Sequence, residues 1–515
     1  MAGVDRRRFL KLSLGAAAGV GAVSLAGCSG SSSDKIALGD STTTTAEGAA
    51  ATIAPDSGAT PDSTAPVGPT GTFRSPEVIS SVNGVLEATL AAVAAMVPFG
   101  DGERWAYTYG GSTPGPTLRA RPGDLLKIRV VNQLDDPTNL HTHGLHVSPE
   151  GNSDNVFVSI DPGSDFLYEI QLPTDHRGGT YWYHPHRHGF VAGQVSGGMA
   201  GMIIIDDNSD DDPVLAAATE RVMVLSDPRI GSDPSVISVS RMDRMGGREG
   251  DVVTINGIAQ PVIEAATGTL ERWRLVNASS SRYYRLVMDG APLVLIGTDG
   301  GLMGAPVGIE SLLMAPGERA ELLVPVASAG PITLRSQHYD RGGAGMGGGG
   351  SSSGPDIDIL TLNASGPDAE AAVPSSIAGA AIPPLPTTNG TRALELSMGG
   401  GGMGGGGMSF MIDGRTFDPD RIDNHLTLGD TEEWTITNVS EMDHPFHIHI
   451  WQFHVVDASD KSLISPGLKD TVNVPAGGWV KFVLDIVNFP GKAVYHCHIL
   501  DHEDQGMMGV FETAV

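Results

Sequence analysis

Cysteine is almost absent: 515 residues carry two, Cys28 and Cys497. Pairing them would waste both, because each has a better assignment, so no disulfide framework follows from the count. Basic residues are scarce as well, 32 Lys and Arg against 60 Asp and Glu, for a net charge of −28. Phosphate backbones need Lys and Arg, so nucleic acid is excluded as a partner. The acidic surface favours solubility and gathers cations. Long apolar runs are missing too. The Ala/Gly/Val/Leu stretch that follows Arg6-Arg7-Arg8-Phe9-Leu10-Lys11 is too short and too rich in small residues to span a bilayer, and reads as a signal peptide. Nor is any stretch rich in helix signals: the Ala-rich run around Ala91–Ala95 alternates with its neighbours and predicts strand.

What is present is turn-forming and apolar: 69 Gly, 34 Pro and 40% hydrophobic residues, a globular composition that leans towards β structure. The length suits roughly three or four domains. At the N-terminus the Arg pair before Phe-Leu-Lys resembles a twin-arginine export signal. Leu25-Ala26-Gly27-Cys28 resembles a bacterial lipobox, with Cys28 as the lipidated residue and a membrane anchor as the result. Residues 1–28 are therefore read as the signal and 29–72 as a Ser/Thr/Pro tether that cannot bury a core.

From Phe73 onward one pattern occurs three times. Gly123 to Asn132, Gly268 to Asn277 and Gly429 to Asn438 each run from a turn Gly through alternating apolar residues to an Asn. Asp161-Pro162-Gly163, Ala315-Pro316-Gly317 and Pro475-Ala476-Gly477 follow in turn. Repeats at domain-sized intervals predict three copies of one antiparallel β-sandwich, over 73–208, 209–385 and 386–515.

The copies differ in what they carry. His141/His143 and His184/His186 lie in the first, His447/His449 and His496/His498 in the third. The middle copy has Leu286 and Met288 where the others have His, and reads as a spacer. On a strand, residues two apart share a face, so each pair is a pincer, and imidazole suits copper, zinc or iron. Eight imidazoles cannot close on one ion but can serve a cluster of three, held between the first and third copies. Strand alternation turns Cys497 away from His496 and His498, into the core of the third copy, where it can meet His444, His502 and Met507. One thiolate, two imidazoles and a weak thioether are the ligands of a blue-copper electron-transfer site.

His141-Thr142-His143-Gly144, Tyr183-His184-Pro185-His186, His444-Pro445-Phe446-His447-Ile448-His449 and His496-Cys497-His498-x3-His502-x4-Met507 resemble the four motifs of three-domain multicopper oxidases, a group that includes copper-efflux oxidases, spore-coat laccases and bilirubin oxidase. The resemblance implies an all-β fold of three cupredoxin-like Greek-key sandwiches in tandem and four copper ions. It assigns type 1 copper to His444, Cys497 and His502 with Met507 axial. Type 2 copper goes to His141 and His447, and the type 3 pair to His143, His184, His186, His449, His496 and His498. The implied activity oxidises phenols, aromatic amines or low-valent metal ions at type 1 copper and reduces O2 to water at the cluster.

Reducing O2 consumes protons, so carboxylates near the cluster are expected as relays. Glu503, which follows ligand His502, and Asp154 match the family's two acidic positions, although Asp154 lies two residues further from His143 than in bacterial relatives. Donors are expected at the exposed edge of His444, beside an acidic rim of Glu441, Met442 and Asp443. Met346, Met398, Met403, Met408 and Met411 stand among glycines, and their soft thioethers suit Cu(I). His146, His176, His188, His338, His425 and His454 are left over and read as structural, with His188 as a possible support for the cluster. A non-catalytic envelope relative should lack several ligands. A copper nitrite reductase has no need of His496, Cys497 and His498 in tandem.

Overall fold

The computed structural model describes residues 71–99, 102–206, 212–229, 239–343, 354–400 and 408–514. The export signal, Cys28 and all but the end of the tether lie outside these residues, as do Met346 and Met403.

Six sheets stack in pairs. The first pair uses strands between Val78 and Ile205, the second between Thr219 and Ser365, the third between Gly390 and Ala514. Each pair encloses a core of its own. Leu126, Ile128, Val130 and Tyr168 lie in the first, Trp273, Leu275, Leu322 and Val324 in the second, and Trp434, Ile436, Phe446 and Phe482 in the third. Among the described residues α-helix is confined to four short turns, Val191–Ser196, Pro213–Ala217, Arg241–Gly246 and Leu500–Asp504, with one 3-10 turn at Lys461–Leu463. The Ala-rich run is strand, within Val85–Phe99.

The threefold pattern has one structural cause. Gly123, Gly268 and Gly429 have φ of 88°, 82° and 94°, a region only Gly enters without strain, and each starts the turn into its strand. The strands that follow, Leu125–Asn132, Thr269–Asn277 and Thr431–Asn438, bury alternate residues or more. Each closing Asn then clips the next turn. Its Nδ2 donates to two carbonyls: Asp136 and Ile160 for Asn132, Arg282 and Met314 for Asn277, Met442 and Val474 for Asn438. Its Oδ1 accepts from the amide two residues on. The carbonyls of Ile160, Met314 and Val474 belong to the segments that lead into the second repeated motif, so the Asn ties the two motifs of each sandwich together.

The same equivalence aligns the histidines. His141 pairs in register with His184 in the first sandwich, and His447 with His496 in the third. Phe446 is the register partner of Cys497. The sandwiches meet through small apolar contacts, Trp182, Met202 and Ile204 against Val222, Val224 and Val276, and Val191, Ala192 and Val195 against Leu500. A bidentate pair between Arg248 and Asp501, with distances from 2.7 Å, joins the second to the third.

Candidate metal centre

Two buried groups of side chains stand in the third sandwich and at its boundary with the first. In the smaller, Cys497 Sγ is 3.4 Å from His444 Nδ1 and 3.8 Å from His502 Nδ1, and the two nitrogens are 3.3 Å apart. Three donors at that spacing surround a point that each can reach at metal-ligand distance. The chain enforces it. Cys497 ends the strand Gly491–Cys497, its amide donates to Met507 O, and Met507 N donates to His502 O. This ties the short helix that carries His502 back onto the Cys. Met507 is buried in the same core. The outward nitrogens are taken: His444 Nε2 meets Ser440 Oγ at 2.8 Å, and His502 Nε2 donates to Met245 O at 3.0 Å. Phe410 stacks on His502 at 4.2 Å. Burial pushes the Cys497 thiol up, so a cation is needed to hold it as thiolate.

The larger group gathers His141, His143, His184, His186, His447, His449, His496 and His498, none more than 3% exposed. Rings from the first and third sandwiches stack, His141 on His449 at 4.0 Å and His143 on His447 at 3.8 Å. His496 Nε2 lies 3.1 Å from His186 Nε2 and 3.3 Å from His449 Nε2. Cationic rings would repel at such distances. Burial, followed in most of them by the neighbouring imidazoles, holds His141, His143, His184, His186, His449, His496 and His498 well below the usual histidine range. They are neutral, as metal ligands must be.

The pairing of individual nitrogens is decisive. His141 Nδ1 is held by Asp154 at 2.9 Å, His184 Nδ1 by Pro185 O at 2.9 Å and His447 Nδ1 by Asp470 O at 2.9 Å. In each the other nitrogen, Nε2, is buried without a partner. His143 is reversed: Nε2 faces Asp470 Oδ1 at 3.1 Å and Nδ1 is left over, while His498 has both nitrogens unpaired. Orphaned buried nitrogens are costly unless something binds them. A set of neutral imidazole nitrogens aimed inward, with outer nitrogens fixed by hydrogen bonds, fits a cluster of copper ions.

Both expected carboxylates lie against this group. Glu503 is fully buried, 3.2 Å from His496 Nδ1 and 3.5 Å from His186 Nδ1, near enough for an ion pair but too poorly aligned for hydrogen bonds. Burial raises its pKa well above the ordinary range. Asp154 accepts from Thr142 N at 2.8 Å, and burial lifts its pKa to about 7. The longer offset from His143 does not keep it from the site.

The donor edge departs from expectation. His444 is fully buried, with Ser440 against its outer nitrogen. Met442 and Asp443 are buried too. Asp443 is occupied structurally, accepting from Tyr339 OH at 2.6 Å, Asn473 Nδ2 at 2.8 Å and Ala476 N at 2.9 Å. As an exposed rim the trio reduces to Glu441.

Asp470 escaped the sequence reading, and so did Arg319, its ion-pair partner at 2.5 Å. Neither sits in a His motif. The signal was positional: Asp470 directly precedes Thr471–Val474, the strand paired with His444–Ile448. Of the remaining histidines, His146 bonds across to the third sandwich, at Ile450 O and Asn488 Nδ2, and His176 is hydrogen-bonded locally to Arg177 O. His188 lies with its ring 4.6 Å from Phe417, on a cavity of about 630 Å3 that also reaches His186 and Met508.

Multicopper oxidase family patterns match residues 92–210, 234–331 and 388–515. The chain belongs to the multicopper oxidase family. It is an oxidoreductase built from three cupredoxin-like sandwiches. It is 29% identical over 409 residues to multicopper oxidase mco of Staphylococcus haemolyticus, covering 78% of this chain and 82% of that one. The solved structure of a multicopper oxidase from Campylobacter jejuni, described as a metallo-oxidase, superposes with a TM-score of 0.77 at 31% identity, covering 87% of this chain and 96% of that one. Cell division protein FtsP of Photorhabdus laumondii is similar at 27% identity, over 78% of this chain and 83% of its own length.

Proposed function

We propose that His444, Cys497 and His502, with Met507 as a weak axial ligand, hold a type 1 copper. His141 and His447 hold type 2, and His143, His184, His186, His449, His496 and His498 hold the type 3 pair, four ions in all. When bound, copper supplies one-electron redox chemistry, so that four oxidations of a donor balance reduction of O2 to two H2O. The observation that carries the reading is the tandem His496-Cys497-His498, whose members belong to both groups. Cys497 connects by covalent bonds to the two imidazoles on either side, which gives electrons a short path. Glu503, whose burial favours the protonated acid, can give a proton beside His186 and His496. Asp154 can do the same beside His141. The cavity beside His186 gives small molecules an approach.

The donors are phenols, aromatic amines or low-valent metal ions. A narrower reading, a cuprous oxidase for copper tolerance, draws on the hairpin Gly390–Gly400 and Met408–Ile412. Its backbone carries Met398 and Met411 next to Phe410, which stacks on His502. A structural envelope role, suggested by the FtsP likeness, is disfavoured because no proposed ligand is missing. The three sandwiches span 73–208, 209–385 and 386–515. Export by the twin-arginine route and anchoring through Cys28 would set the enzyme in the cell envelope. Oxygen uptake by the copper-loaded chain, with a phenol, an aromatic amine, Fe(II) and Cu(I) in turn, tests the function. Turnover with Cu(I) alone selects the cuprous reading, and no turnover with any donor refutes catalysis.

A further inference from the structure

The middle sandwich carries none of the proposed ligands, yet two of its residues reach the cluster. Gly317, at φ +89°, lies so close to His498 that a Cβ there would stand 2.8 Å from the ring. Arg319, fully buried, spends its guanidinium at a point where all three sandwiches meet. Nε donates to Thr180 O of the first at 3.2 Å. Nη2 donates to Asp299 O of the second at 2.9 Å, and Nη1 to Gly317 O at 3.1 Å. Both Nη atoms grip the Asp470 carboxylate of the third, at 2.7 and 2.5 Å.

Asp470 in turn sets two imidazoles by two different atoms. Its carboxylate faces His143 Nε2, and its carbonyl accepts from His447 Nδ1. Thr471 Oγ1 lies 3.2 Å from each of the same two nitrogens. The rings are stacked at 3.8 Å, one from each ligand-bearing sandwich, and they present opposite nitrogens to the centre: Nδ1 of His143 and Nε2 of His447 are the orphans. Which nitrogen is free is decided by what the other one binds. A free carboxylate at this point could rotate; the His143 ring could then turn, and Thr471 Oγ1, which donates to the carboxylate at 2.9 Å, would lose the acceptor that aims it beside His447.

We propose that Arg319 is a positioning residue for the metal cluster: by clamping the Asp470 carboxylate it fixes which nitrogen of His143 faces the copper ions, and through Thr471 Oγ1, which donates to that carboxylate at 2.9 Å and lies against His447 Nδ1, it supports the setting of His447 that the Asp470 carbonyl makes. The middle sandwich is thereby part of the cluster's assembly rather than a spacer. This rests on the ligand reading above, and the test separates the two.

Full-length wild type, Asp470→Asn, Arg319→Met and Arg319→Lys are loaded with copper and compared by copper stoichiometry under chelator challenge, type 2 electron paramagnetic resonance and the blue type 1 band. Asp470→Asn and Arg319→Met should lose cluster copper about tenfold to a hundredfold more readily. Their type 2 resonance should be altered and their blue band unchanged. Arg319→Lys keeps the charge but not the fork, and should recover part of the loss. Full cluster copper with a wild-type resonance in Asp470→Asn overturns the proposal, even if Arg319→Met fails to fold. A wild type that shows the blue band but no cluster copper refutes the ligand reading, and this proposal with it.

Discussion

Cys497 is one residue with two neighbourhoods. Its sulfur lies in the core of the third sandwich, while the imidazoles bonded to it through the chain lie in the cluster. Substitutions here should therefore separate two spectra. Cys497→Ser should abolish the blue band and donor-driven turnover while cluster copper remains. His498→Ala should do the reverse, keeping the blue band and losing oxygen reduction; loss of the band in His498→Ala would contradict the ligand assignment. Glu503 makes a different demand. It has no aligned hydrogen bond and lies within 3.5 Å of two of the proposed ligand rings, and under the proposed function its contribution is a proton, not packing. Glu503→Gln keeps the volume and removes the acid. Steady-state oxygen uptake should fall about 10²- to 10⁴-fold with both copper spectra unchanged. Undiminished uptake would remove Glu503 from the proton path.

Elements explain why the sequence was so legible. The turn Gly, alternating strand and closing Asn recur because each part has a fixed job: positive φ, one buried face, three hydrogen bonds across a turn. Asn438→Ala removes a donor from the carbonyls of Met442 and Val474 and the acceptor of the Ser440 amide, leaving Met442 O only Ser440 Oγ. It should cost about 1–3 kcal/mol and lower the midpoint of thermal unfolding. Because Ser440 touches His444, it should also shift the blue band, whereas Asn132→Ala, at the equivalent place in the first sandwich, should cost as much and leave the band alone. A His pair on a strand is likewise readable, since period-2 alternation puts both rings on one face. Burial set by other elements is not readable in this way. Asp443 looked like a surface acid because its neighbours are polar, but Tyr339, more than a hundred residues away, claims its carboxylate. Asp470 and Arg319 were invisible for the same reason: their meaning arises only where three sandwiches meet.

At the scale of the whole molecule, the cluster lies where the first and third sandwiches meet, and rings held neutral by burial stack across that boundary beside its apolar contacts. That makes the fold sensitive to acid in a direction that can be worked out. In the unfolded chain a histidine titrates at its ordinary value of 6.5, whereas burial holds His141, His143, His184, His449, His496, His498 and His502 far below it in the folded chain. Below that ordinary value the unfolded state binds more protons than the folded one, so stability is complete above it and falls as pH drops through it. Because many rings act together, the fall should be steep. Copper binds only the neutral rings of the folded state, so loading adds stability and should carry the acid midpoint to lower pH. Thermal unfolding of metal-free and copper-loaded protein from about pH 8 to about pH 4 checks this. Both midpoints should decline below the histidine value, the metal-free one first. A metal-free midpoint that stays level over that range would mean the rings are not forced neutral by burial, and the electrostatic account of the cluster would fall with it.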